Sequence, residues 1–161
     1  MHCDQDGRFS SAGSPDLEIV RVLVEACSSE ASRSLARERF DLEFLLGFLP
    51  ADGSLEDGAA TLIRVTAELI RRAVERAQLK ADKMAVAGGG AFNPSLMLCL
   101  SAELPGLEMT STDALGLPPA AREAVCFASL GWLFLHGRAS NHPPQTGAQR
   151  ELRLGSLALP L

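Results

Sequence analysis

The residues with most chemical promise are Gly88, Gly89, Gly90 and Asn93, in the stretch "VAGGGAFNP" over 86–94. Glycine is a poor residue in helices and strands alike. Three in a row, between an apolar run and Asn-Pro, mark a place where something comes close to the backbone. Asn93-Pro94 is a helix start, with Asn as N-cap and Pro at the first helical position. A strand, a glycine turn and a helix N-terminus together make a site for a polar or partly negative ligand. The free N–H groups and the helix dipole face it, and missing Cβ atoms let it approach. The spacing is neither GxGxxG nor GxxxxGK[ST], and a plain tight strand-to-helix connection stays open as a second reading. Glu123 is the other candidate, a carboxylate on an otherwise apolar helix. By position alone it reads as an exposed or first-turn Glu, favourable with the helix dipole.

Other chemistry is sparse. The cysteines at 3, 27, 99 and 126 form no CxxC pair. Cys27, Cys99 and Cys126 have apolar neighbours and read as small buried hydrophobes in a reducing compartment. His2, His136 and His142 lack metal-ligand spacing, so no metal site of the chain's own is expected.

The elements that must position these residues follow from composition and periodicity. A chain of 161 residues, 47% hydrophobic and 22% charged, is expected to be one globular unit. No apolar run is long enough for a membrane span, and "MHCDQDGRFSSAGSPD" lacks a signal-peptide core, so a cytoplasmic protein is expected. A net charge of −5 with scattered Lys and Arg argues against nucleic acid. Residues 16–27 have helical spacing, with Pro15 suited to the first turn. Residues 41–50 predict a short helix capped by Asp41 and stopped by Pro50. From Ser54 runs the clearest helix, with Asp57 placed for a capping box. Ala59, Leu62, Ile63, Thr66, Leu69, Ile70, Ala73, Val74 and Ala77 form its apolar stripe. Arg64, Glu68, Arg72, Glu75 and Arg76 read as a solvated face, with Glu68–Arg72 a favourable pair. "KMAVA" (83–87) predicts a buried strand, and the helix from Asn93 ends near Pro105-Gly106. "LEMTS" (107–111) predicts a second strand. Residues 118–137 predict a helix apolar nearly all round, hence buried in a core or interface and capped by Gly137. The tail is irregular, with one strand expected at Arg153–Leu159. The alternation from Ser54 onward implies an α/β fold with a parallel strand pair, too small a sheet to be complete.

The ordered series "GGGAFNPSLM", "ELPGLEM", "TDALGLP", "REAVCFASL", "HGRASNHPPQTGA" resembles the C-terminal part of the anhydro-N-acetylmuramic acid kinase family. That family belongs to the superfamily of actin, sugar kinases and heat-shock chaperones. "DQDG" through Gly13 is similar to its D-x-D-G…G segment, and "RSLARERFDLEFL" to its K-S-T-G-R-E-x-F-x-L segment. The resemblance implies a helix-rich α/β chain, the C-terminal part of a ribonuclease-H-like (actin-like ATPase) domain with an incomplete parallel sheet. Residues 1–161 would be one partial domain, the N-terminal domain being absent. It implies ATP, with Mg2+, opening the 1,6-anhydro ring of anhydro-N-acetylmuramic acid by water and phosphorylating the 6-hydroxyl, in cell-wall recycling. Gly88, Gly89 and Gly90 would leave room for the adenosine, Asn93 would offer polar atoms beside it, and Glu123 would face the sugar. The family's G-T-S-x-D-G loop and its F-D-T-G-P-G-N loop, whose Asp is the general base, do not occur in these residues. No catalytic residue is therefore expected here, and the partners implied are ATP, the sugar, and the missing domain or a second copy. Asp4 and Asp6 match the D-x-D-G segment, and Asp113 reads as a cap. Phe92 stands where the family has His, and Arg33-Ser34-Leu35-Ala36 replaces Lys-Ser-Thr-Gly. The alternatives are a non-catalytic nucleotide- or sugar-binding relic of the family, and an unrelated helical interaction protein.

Overall fold

The computed structural model describes residues 4–28, 42–78 and 80–158. The expected Asp41 cap, the segment 33–36 and Cys3 lie outside them. Helix α1 is Leu17–Ser28, α2 Leu42–Leu46 and α3 Leu55–Ala77. Strand β1 (Lys83–Val86) leads to α4 (Pro94–Glu103) and β2 (Glu108–Ser111), then α5 (Arg122–Leu135) and the short α6 (Pro143–Thr146). The expected parallel pair is present, in the register Lys83↔Glu108 to Val86↔Ser111.

The helix starts are set by side chains. Asp16 accepts from the Glu18 and Ile19 N–H groups at 2.9 and 3.0 Å. It is therefore the α1 cap, and Pro15 precedes the helix rather than sitting in its first turn. Ser54 caps α3, its Oγ accepting from the Asp57 N–H at 3.0 Å. Asp57 does not complete the capping box. Its carboxylate accepts from the Ser14 N–H at 2.7 Å, which, with the Ser54 hydroxyl, lowers its pKa. Gly13 lies against the Glu56 carbonyl, where any Cβ would collide with main chain.

Val20, Leu23 and Val24 of α1 and Val65 of α3 form the buried core, bordered by Phe44, Leu45, Phe48, Leu62 and Leu69. Thr61, 1% exposed, is satisfied inside it. Its hydroxyl donates to the Asp57 carbonyl at 2.7 Å and accepts from the Asp16 N–H at 3.0 Å. Helix α3 packs against both α1 and α4, so its buried positions are Ala60, Thr61, Val65 and Ala67 rather than one stripe. The second neighbour also covers part of the expected solvated face, while Glu75 and Arg76 stay exposed. Glu68 and Glu103 side chains are 18% and 13% exposed. Glu68 holds Arg71 at 2.7 Å and Arg72 at 2.8 Å, and Glu103 holds Arg64 at 2.5 Å and Arg71 at 3.5 Å. The Glu68–Arg72 pair is as expected, but within a network that ties α3 to α4.

The later part of the chain is less covered than its composition implies. Strand β1, expected to be buried, alternates between exposed and half-buried residues, and β2 is half-buried after an exposed Glu108, because each has a single ladder neighbour among the described residues. None of the α5 residues is buried: Phe127 and Leu135 are 71% exposed and Trp132 is 50% exposed. An all-round apolar helix needs a cover, and the described residues do not supply one. Cys27 is buried as expected, which raises its thiol pKa, whereas Cys99 is half-buried and Cys126 exposed on α5. Gly137, at φ 66°, ends α5 as expected. No strand forms at residues 153–158. Asn141 anchors the tail instead, donating to the Arg150 carbonyl at 3.0 Å and accepting from the Leu152 N–H at 2.6 Å. The described helices include none long and apolar enough to cross a membrane.

Two outcomes follow. Hydrogen bonds from Arg71, opposed by burial and aided by Arg72, lower the Glu68 pKa from 4.5 to about 2. This contribution is complete above 4.5 and fades as pH falls toward about 2. It amounts to about 3 kcal/mol at most, and about 1–2 kcal/mol once exposure of the arginines is counted. Glu68→Gln should lower the unfolding free energy by that amount in urea melts near neutral pH. The deficit should shrink below about pH 4. Separately, the bare α5 face should drive self-association. Light scattering should show Phe127→Glu to be more monodisperse than the parent, and an equal or larger particle size would refute this.

Candidate functional site

Strand β1 runs into the glycine turn, and each glycine there stands for a different reason. Gly88 has φ 79° and ψ −170°, a region side-chain-bearing residues avoid. Its N–H donates to the Pro119 carbonyl at 3.0 Å, joining the turn to the segment that starts α5. Gly90 is held by packing, since a Cβ there would lie 3.0 Å from Leu96 Cδ2. Gly89 meets neither constraint, and a Cβ on Gly88 or Gly89 would project into open space. A 3-10 turn over Gly89–Phe92 follows, closed by Ala91 N–H to Gly88 O at 3.2 Å and Asn93 N–H to Gly90 O at 3.1 Å.

Asn93 caps α4, its Oδ1 accepting from the Leu96 N–H at 3.1 Å. Its Nδ2 donates to Asp4 at 3.3 Å, and the residue is only 9% exposed. Asp4 lies just before the 3-10 turn Gln5–Gly7 and also accepts from Phe9 N–H (2.8 Å), Ser10 N–H (3.2 Å) and Ser10 Oγ (2.5 Å). Burial opposes its charge, but those hydrogen bonds outweigh burial and hold the carboxyl below its ordinary value. Asp6 is exposed at φ 56°. Asp113 does not cap through its side chain; the turn it opens is closed by Gly116 N–H to its carbonyl, at 2.9 Å.

A cavity of about 220 Å³ opens beside the turn, lined by Gly88, Gly89, Pro119, Ala120, Arg122 and Glu123. Residues 35 positions apart in sequence thus share one concavity. Gly90 and Asn93 stand behind it as support, and Asp4, Asp6 and Phe92 do not line it. The Glu123 side chain is 78% exposed and lies 3.3 Å from the Arg122 guanidinium, so its oxygens are open to a ligand. Sequence reasoning passed over Arg122. The available signal was a cation in a first helical turn, where it opposes the dipole unless something negative adjoins it. For Mg2+, no group of three His, Cys, Asp or Glu suited to a metal occurs among the described residues.

A parallel strand pair with a glycine turn and a capped helix at the carboxyl end of β1 places the chain among helix-rich α/β proteins. The family model "Anhydro-N-acetylmuramic acid kinase" matches residues 1–160. The relative of that name from Streptomyces coelicolor is 41% identical over 158 residues, covering 96% of this chain and 40% of the relative. The Pseudomonas paraeruginosa relative is 37% identical over 160 residues, covering 97% of this chain and 44% of its own length. The chain belongs to the anhydro-N-acetylmuramic acid kinase family, as its motifs imply, and spans about two-fifths of the length of these curated relatives.

Proposed function

We propose that this chain supplies the adenosine-facing and sugar-facing walls of an ATP-dependent anhydro-N-acetylmuramic acid kinase. It would be one partial domain of actin-like ATPase fold, acting in the cytoplasm in cell-wall recycling. The observation that carries this reading is the single cavity shared by the open glycine turn and Glu123 in a chain of this family. Gly88 and Gly89 admit the nucleoside against bare backbone, with Gly90 and Asn93 holding the turn. Glu123 accepts a hydrogen bond from a sugar hydroxyl. In the reaction, water oxygen bonds to the anomeric carbon as the anhydro C–O6 bond breaks. O6 takes the γ-phosphoryl group, ADP leaves, and a carboxylate base receives the water's proton. Such transfer depends on in-line placement and stabilisation of spread charge. This chain's share is placement: it binds and orients both substrates. Magnesium would travel with the ATP phosphates. One observation favours the second reading, binding without turnover. The 161 residues contain neither G-T-S-x-D-G nor F-D-T-G-P-G-N, so these residues by themselves supply binding walls without the base and the phosphate loops.

The nucleotide reading is tested at Gly89, which the fold leaves free to carry a side chain. Gly89→Val should melt like the parent and yet bind a non-hydrolysable ATP analogue at least about 10-fold more weakly, a loss of about 1.4 kcal/mol. Equal binding by calorimetry would reduce the turn to a connection. For the sugar wall, Glu123→Gln should weaken sugar binding by about 1.5–3 kcal/mol in an enzyme reconstituted with the polypeptide carrying the phosphate loops. The 161-residue chain alone, given ATP and anhydro-N-acetylmuramic acid, should form no phosphorylated sugar by mass spectrometry. Product above a no-protein control would show that the base lies within it.

A further inference from the structure

We propose that Asp4 is a positioning residue for the glycine turn, acting through Asn93. The inference rests on the reading of that turn as the nucleotide wall. Asp4 is fixed first by its own segment, through the Phe9 N–H, the Ser10 N–H and the Ser10 hydroxyl. Its remaining partner is the Asn93 amide, 89 residues away. An ionised carboxylate only accepts, so Asn93 must present Nδ2 to it. That leaves Oδ1 toward α4, where it accepts from Leu96 N–H. Gly7 closes the clamp from the other side. It has φ 70°, and a Cβ there would lie 2.5 Å from Asn93 Oδ1. The Asn93 side chain is thereby held between Asp4, Gly7 and the start of α4. Its main-chain N–H is bonded to Gly90 O, and Ala91 N–H to Gly88 O. A displacement of Asn93 as a whole is therefore passed through these main-chain bonds to the backbone that lines the cavity. Displacements of about 1 Å in a site cost on the order of 100-fold in rate, so a clamp behind the turn has a functional consequence without touching a ligand.

The test uses the full 161-residue chain and amide exchange followed by NMR. Asp4→Asn keeps the shape and replaces an obligate acceptor by an amide that also donates. Exchange at the Ala91 and Asn93 amides should quicken by about 10-fold or more, while Val24 and Val65 in the core keep their protection. Affinity for ADP should fall about 10-fold with the melting temperature little changed, a pattern that a general loss of stability would not give. The exchanged pair, Asp4→Asn with Asn93→Asp, again sets a donor against an acceptor and should recover part of both losses. Unchanged exchange at Ala91 and Asn93 would overturn the proposal. Should Asp4→Asn fail to fold, Asn93→Ser decides, since serine caps a helix well but cannot span to Asp4. A loosened turn with protected α4 amides supports the link, and a tight turn refutes it. A parent chain that does not bind ADP would sink the nucleotide reading, while the exchange rates still judge the clamp.

Discussion

Asn93 is the joint on which the rest of the site depends. Its side chain caps α4 and meets Asp4, its N–H closes the glycine turn on Gly90 O, and its carbonyl accepts from the Met97 N–H. Four bonds from one nearly buried residue join the amino-terminal segment, the turn and the helix. An apolar residue here would remove a cap worth about 1 kcal/mol and leave the Asp4 carboxylate short of a partner. Satisfying every polar atom of such a residue is what makes its geometry unique.

Stability is distributed unevenly around that joint. On one side, α1 and α3 share the apolar core, and the Arg–Glu network fastens α3 to α4. On the other, two strands and a bare helix have little to rest on, and a two-strand sheet is marginal alone. The cavity lies across this divide. Its glycine wall belongs to the firm side, and Arg122 and Glu123 belong to α5. Within the described residues, Gly88 N–H to Pro119 O is a main-chain bond that spans the two walls directly. Few contacts imply low local stability, so that bond is a direct restraint on the separation of the walls.

How far the sequence was legible follows the same divide. The Ser54 and Asn93 caps, the parallel pair and the Gly137 stop were readable because each is encoded within a few residues. The exposure of α5 was not, since an apolar helix states that it needs burial but not against what. Helical periodicity placed Glu68 opposite the apolar stripe, yet only the position of α4 decides that this face is covered. The tail at 153–158 has strand-like alternation, but side-chain anchors at Ser140 and Asn141 take the place of a ladder. Of the candidate site, Gly88, Gly89 and Glu123 converge as a site requires. The Asp4–Asn93 link was hidden by its span of 89 residues, and Arg122 by standing next to a more obvious neighbour.

The three glycines separate what the fold demands from what it does not. Gly88 is required by its positive φ, and at Gly90 the Leu96 side chain stands close enough that a Cβ would make it shift. Neither reason reaches Gly89, where an alanine would meet no atom of the described chain. Glycine costs roughly 0.4–1 kcal/mol of unfolded-state entropy wherever alanine would fit. The same position lines the cavity opposite Glu123. Under the proposed function, a residue that the fold can do without at the wall of the cavity fits a ligand lying against the backbone. The case for a nucleotide wall at this turn therefore rests more firmly on Gly89 than on the run of three.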